Sequence, residues 1–160
     1  MTTLNTIVYS IEAAKRLLNL KSGVFRVVEW AWVVLVVGKN FSRFISKKLF
    51  KKHFVDNKKE QAKTIQIISN SRSQFTALSG TKVYQLEAVL DAVTCSCDDY
   101  RHQTGTLKTA CCKHGYAVLN KLGFDSLAGY INSKINSQDL GFVTNRRLSS
   151  EPRRKGRSVD

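Results

Sequence analysis

The pattern of apolar and polar positions in the first sixty residues predicts one helix followed by extended chain. Ser10 is a residue type that caps helices, and an apolar stripe at helical spacing follows it, consisting of Ile11, Ala14, Leu17 and Leu18. Residues 24–37 are mostly β-branched or aromatic, which favours strands. The turn signal Gly38-Lys39-Asn40 comes next, and an amphipathic basic stretch covers residues 41–54.

Two arrangements of this segment are open. In the first, residues 24–37 form a β-hairpin or a strand, and a helix over residues 47–54 covers it. In the second, residues 11–20 and 21–32 form two helices, and residues 33–46 form a wing around the turn. That order, with Arg43-Phe44-Ile45-Ser46 after the turn, is weakly similar to the winged helix-turn-helix of excisionase-type proteins. The β-branched content favours the first arrangement.

The rest of the chain predicts strands and then helices. Residues 56–63 are polar without apolar periodicity and mark a candidate domain boundary. Strands are expected at 64–69, 75–78 and 82–89, with a turn at 70–73 and a break near Ser79-Gly80. One helix should run from Cys112 to Leu122 and end at Gly123, and a short one should cover 127–135.

These elements indicate an α+β protein. We expect a basic α/β module at 1–60, a small hairpin-plus-helix domain at 61–124, a short helical extension at 125–144 and a disordered basic tail at 145–160. Units of about sixty residues bury little apolar surface and often need a metal ion or a disulfide for stability.

Charge narrows the choice of partner. The chain carries 26 Lys and Arg against 12 Asp and Glu, a formal net charge of +14. Such a field attracts polyanions, of which nucleic acid is the commonest. The candidate nucleic-acid-binding residues are Arg43, Lys47, Lys48, Lys51, Lys52, Arg101, Lys108 and Lys113.

The cysteines indicate a metal site rather than disulfides. Residues 1–10 lack the pattern of a secretory signal. The apolar stretch 24–37 contains Arg26 and Glu29 and falls short of the roughly twenty residues of a membrane span. We therefore expect a reducing compartment, cytoplasmic or, in a eukaryote, nuclear. Clustered cysteine and histidine there bind metal more often than they form disulfides.

Four residues have the spacing of a zinc site. Cys95 and Cys97 form a C-x-C pair, and Cys112 and His114 form a C-x-H pair. Fourteen residues separate the two pairs. Three thiolates and one imidazole are a common structural set for zinc, and strand residues two apart point to the same side. Cys111 can replace Cys112 as a ligand, and His102 can compete with His114; only Cys112 gives the C-x-H spacing.

The same segment resembles the SWIM zinc finger. Cys95-Ser96-Cys97-Asp98 is similar to the first half of that motif. Cys112-Lys113-His114, followed by the apolar Tyr116-Ala117-Val118-Leu119, is similar to the second half. The resemblance covers residues 63–123 and implies a β-hairpin and a short helix closed by zinc. It also implies a module that binds DNA or protein and is not an enzyme.

The residues also argue against catalysis. Cys112 and His114 lie too close in sequence for a usual catalytic pair, and four protein ligands leave no position on zinc for a water molecule. The expected function is therefore nucleic-acid binding, with DNA preferred and no small-molecule substrate. The alternative is a protein-protein adaptor that uses the exposed edge of the hairpin or the Trp30 and Trp32 surface. Because zinc supplies folding energy, loss of Cys97 or His114 should unfold residues 64–123.

Overall fold

The computed structural model of the chain describes residues 5–107 and 109–147. Within those residues it contains two antiparallel sheets and six helices, which confirms the α+β prediction at that level. The first two helices are α1 (Asn5–Val8) and α2 (Ile11–Leu17). The predicted cap is present, because Ser10 Oγ accepts the backbone N–H of Ala13 at 3.1 Å.

A three-stranded sheet follows α2, in the order β1-β2-β3. Its strands are β1 (Val24–Glu29), β2 (Val33–Gly38) and β3 (Ser42–Ser46). The hairpin interpretation of residues 24–37 is therefore correct, and the alternative helix over 21–32 is wrong. The turn at 38–40 does join two strands, β2 and β3. Glycine is required there, because a Cβ on Gly38 would lie 2.2 Å from the Phe41 ring.

Helix α3 (Lys47–Ala62) covers the inner face of this sheet. Phe50 is fully buried against Val34, Val36 and Ile45, and its ring meets that of Tyr9 edge to face at 5.6 Å. The predicted helix at 47–54 is confirmed, but it continues to Ala62, through nearly all of the polar stretch 56–63 that marks the candidate boundary.

Contacts with the second half of the chain explain this longer helix. Val55 packs against a cluster of buried side chains from the second half of the chain, and Lys58 Nζ lies 2.7 Å from Asp99 Oδ2. The pattern of apolar and polar residues in 56–63 does not predict either contact. The division of the chain into domains stays a prediction.

The second sheet has four strands in sequential order, where a hairpin was expected. They are β4 (Gln66–Ser69), β5 (Gln74–Ser79), β6 (Lys82–Ala88) and β7 (Val93–Cys95). The three predicted strands are confirmed, and β7 was not predicted. Helix α5 (Lys113–Lys121) follows as predicted, with Gly123 at a φ of 83° after its end.

Two more helices complete the described chain. Helix α4 (Asp98–Thr104) was not predicted. Helix α6 (Leu127–Arg147) is docked by Tyr130, whose hydroxyl donates to the carbonyl of Val89 at 2.9 Å. It is longer than expected, so residues 145–147 of the predicted disordered tail are helical, and 148–160 lie outside the described residues. None of the described helices is long and apolar enough to cross a membrane.

Side chains from β5, β6, β7 and α5 form the second core. Its fully or almost fully buried members include Phe75, Ala77, Val93, Val118, Leu119 and Tyr130. The four cysteines belong to the same cluster, so the apolar core surrounds the candidate metal ligands.

Candidate metal centre

The first two candidate ligands lie where β7 gives way to α4. Cys95 is the last residue of β7, and Cys97 keeps an extended backbone with φ −77° and ψ 153°. Because extended residues two apart point to the same side, both thiols face the second core. They are 7% and 3% exposed. The intervening Ser96 points away and is exposed.

The other two candidate ligands begin α5. Cys112 is the N-cap residue of this helix, and its Sγ accepts the backbone N–H of Gly115 at 3.4 Å. Cys97 has the same role for α4, accepting the N–H of Tyr100 at 3.3 Å. Backbone N–H groups at helix N-termini favour thiolate over thiol. Two of the three sulfurs therefore accept a backbone N–H from the start of a helix.

The four ligand atoms form one compact group. The Sγ atoms of Cys95, Cys97 and Cys112 and a ring nitrogen of His114 all lie within 4.8 Å of one another. His114 Nδ1 is 3.8 Å from the sulfurs of both Cys95 and Cys112. Tetrahedral bonds of 2.0 to 2.3 Å separate neighbouring ligands by about 3.6 to 3.8 Å. The group can therefore hold one metal ion with little movement.

Hydrogen bonds among the thiols shift their pKa values in opposite directions. Hydrogen bonds from Cys112 and Cys95 hold the pKa of the Cys97 thiol far below its usual range. The pKa of Cys112 is raised by its hydrogen bonds with Cys95 and Cys97 and by burial. A metal ion at the centre would stabilise all three thiolates.

The structure separates the two adjacent cysteines. Cys111 does not belong to the four-atom group. Its backbone N–H donates to Gln103 Oε1 at 3.1 Å, and its sulfur lies 3.8 Å from the carbonyl oxygen of Cys112. Burial raises the pKa of the Cys111 thiol, so it stays neutral. His102 is exposed on α4 and also lies outside the group.

Two neighbours of the site have no signal in the sequence pattern. Gln103 is 1% exposed and holds the chain just before Cys112 through its bond to the Cys111 N–H. Tyr84 on β6 stacks on the His114 ring, with the centroids 4.2 Å apart. Gln103 occurs in a polar stretch that reads as a loop, and Tyr84 has the pattern of an ordinary strand residue. Only the packing shows their positions.

The candidate nucleic-acid-binding residues are spread over four elements. Arg43 on β3 and Lys48, Lys51 and Lys52 on α3 are exposed. Lys47 is partly buried and pairs with Glu29. On the second half of the chain, Arg101 on α4 pairs with Asp98 at 2.9 Å, and Lys113 begins α5. Lys108 lies outside the described residues.

Fold and site together define an α+β protein with a buried cluster of three cysteines and one histidine that can hold a metal ion. No protein-family model, curated protein or solved structure matches the chain. The likeness to the SWIM zinc finger therefore rests on the motif residues themselves.

Proposed function

We propose that Cys95, Cys97, Cys112 and His114 hold one structural zinc ion in a SWIM-type module, and that the protein binds nucleic acid, with DNA as the expected form. The observation that carries the zinc assignment is the buried group of four ligand atoms. Soft thiolates with one imidazole suit zinc, whereas calcium and magnesium take oxygen ligands.

A structural role fits this site better than a catalytic one. Catalytic zinc keeps one coordination position open for water or substrate, and four protein ligands fill a tetrahedron. The ligand residues are also buried, from 0% exposure for Cys112 to 7% for Cys95. A substrate would have no approach to a metal ion held there. The proposal is therefore a binding protein and not an enzyme.

The positive charge supports nucleic acid as the partner. Lys48, Lys51 and Lys52 are exposed on one helix, α3, and Arg43 is exposed on the neighbouring strand β3. Lysine and arginine side chains that contact phosphates release condensed counterions, so binding of this kind weakens steeply as salt rises. These four residues form the proposed phosphate-contacting surface.

The test compares two variants with equal net charge. One replaces Lys48, Lys51 and Lys52 by glutamine, and the control replaces Lys21, Lys82 and Lys134, which are exposed elsewhere. Affinity for a DNA oligonucleotide is measured at several salt concentrations. Affinity falls as salt rises, and the first variant should make this fall shallower, reducing the magnitude of the slope of log affinity against log salt by about 2 to 3. The control should leave the slope almost unchanged. Equal loss in both would show that only overall charge matters.

The competing function is a protein-protein adaptor. It is favoured by Trp32, which is 85% exposed at the turn between β1 and β2. Large exposed aromatic side chains are frequent anchors of protein interfaces. An adaptor would retain DNA only weakly and without a steep dependence on salt, so the same titration separates the two functions.

A further inference from the structure

The outer face of the three-stranded sheet is largely apolar, and its side chains are half-buried or exposed. Direct cross-strand partners share a face, and the register pairs Val28 with Leu35 and Leu35 with Phe44. The fully buried Val34 and Val36 belong to the opposite, inner face, where α2 and α3 pack. The outer face is therefore lined by Arg26, Val28, Val33, Leu35, Val37 and Phe44. No helix in the described part of the chain covers it.

Aromatic rings stand at one end of this face. Trp30 is 55% exposed and Phe44 is 62% exposed, and their rings meet edge to face at 5.7 Å. Trp32 follows in the β1–β2 turn. Trp30 and Phe44 form what we call the aromatic surface. Exposed rings on a β-sheet are a common platform on which unpaired bases stack.

The charges around the aromatic surface are almost all positive. Residues 21–52 contain eight lysines and arginines and a single acidic residue, Glu29. Glu29 is paired with Val34 in the register, so it belongs to the inner face, and there it pairs with Lys47. Arg26, which the register pairs with Val37 on the outer face, and Lys39, in the turn after β2, are exposed. A polyanion can therefore approach the rings without meeting an unpaired carboxylate from this segment.

From this combination we infer that the aromatic surface binds single-stranded nucleic acid, its bases stacked on Trp30 and Phe44 and its phosphates near Arg26 and Lys39. The inference rests on the proposed function and specifies the form of nucleic acid. A duplex keeps its bases stacked on each other, so exposed rings on a sheet gain little from it. A second copy of the chain would bring two strongly positive segments together, which electrostatic repulsion opposes.

The protein contains its own reporter for this test. Trp30 belongs to the aromatic surface, and the second tryptophan, Trp32, lies in the adjacent turn. Binding of a twelve-nucleotide oligothymidine or oligouridine should quench their fluorescence, because stacking places a base against the indole ring. A DNA duplex with the same number of phosphates should bind more weakly and quench little. The two single strands distinguish DNA from RNA as the preferred form.

A matched pair of variants tests the contact itself. Phe44→Ala removes a ring that is 62% exposed, and Val83→Ala removes a side chain that is 59% exposed on the second sheet. Loss of one stacking contact should weaken single-strand binding about 5- to 150-fold for Phe44→Ala. Val83→Ala should bind like the unchanged protein. Thermal denaturation checks that both variants stay folded at the assay temperature.

Three results would overturn the inference. Phe44→Ala and Trp30→Ala could bind the single strands as tightly as the unchanged protein does, or the duplex could bind equally well with equal quenching. Alternatively, Phe44→Ala could turn a dimer into a monomer in sedimentation, which would make this surface an interface between copies. If the unchanged protein binds no nucleic acid at low salt, the proposed function itself fails.

Discussion

Cys111 and Cys112 offer a matched test of the metal site, because they are adjacent buried thiols of which only Cys112 belongs to the four-atom group. Each is changed to serine in a separate variant. Serine at position 112 can still cap α5, since serine is among the preferred N-cap residues. Loss of the helix cap therefore adds little to the effect of Cys112→Ser, and the difference between the two variants reports on metal binding.

The expected magnitude follows from binding linkage. A metal ion present at a thousand times its dissociation constant stabilises the folded state by about 4 kcal/mol. Cys112→Ser should lose that contribution. Cys111→Ser should cost about 1 kcal/mol, because the carbonyl of Cys112, now 3.8 Å from the sulfur, can accept a hydrogen bond from the new hydroxyl. In a chain of this size, the difference of about 3 kcal/mol corresponds to about 6 to 12 °C in melting temperature.

The assay combines metal analysis with thermal denaturation at a fixed free zinc concentration. The unchanged protein and Cys111→Ser should each contain one zinc per chain, and Cys112→Ser should contain almost none. The reasoning is refuted if Cys112→Ser keeps a full equivalent of metal. It is also refuted if Cys111→Ser is the variant that loses it, because the ligand would then be the other cysteine.

Substitutions at three further positions test neighbouring parts of the structure. His114→Cys should keep zinc, because four thiolates are also a common structural set, whereas His114→Ala should lose it in the same metal analysis. Gly115→Ala should lower the free energy of unfolding by about 1 kcal/mol in chemical denaturation, because the new Cβ would lie 3.0 Å from the Cys111 sulfur. In a Cys111→Ala background, the same change should stabilise the folded protein, because alanine favours helix over glycine. Phe50→Ala should lower the free energy of unfolding by about 3 to 5 kcal/mol, because it leaves a cavity in the core between the first sheet and α3, and it should leave the zinc content unchanged. Loss of metal in this variant would show that this core and the second core depend on each other.

The sequence predicted the elements whose signals are local. The strands of residues 24–37 follow from β-branched side chains, and α5 follows from an apolar run that ends at Gly123. The four cluster residues follow from spacing, because C-x-C at a strand end and C-x-H at a helix start each place two ligands on one side. None of these predictions requires knowledge of the tertiary contacts.

Elements that depend on distant contacts could not be predicted in the same way. The second half of α3 is largely polar, and its contacts with the rest of the protein come from Val55 and Ala62 in the second core and from the Lys58–Asp99 ion pair. Helix α4 contains a single buried residue, Gln103, so its sequence lacks an apolar stripe. Its signals are the Cys97 cap and two acidic residues in the first turn, which are easily mistaken for a polar loop.

The size of the second core also decides how much of the protein depends on the metal. Phe75, Val93, Val118 and Leu119 are buried to 2% exposure or less and pack in one cluster, so the sheet and α5 share apolar contacts besides the candidate metal ligands. Helix α4 lacks such support, since seven residues are too few for a stable isolated helix and only Gln103 is buried. Chelation should therefore open α4 and the residues up to Cys112 first, and not the whole of 64–123 as the sequence suggested. Amide hydrogen exchange with and without chelator measures this directly. Simultaneous loss of protection in β5, α4 and α5 would show that the metal ion stabilises the entire module.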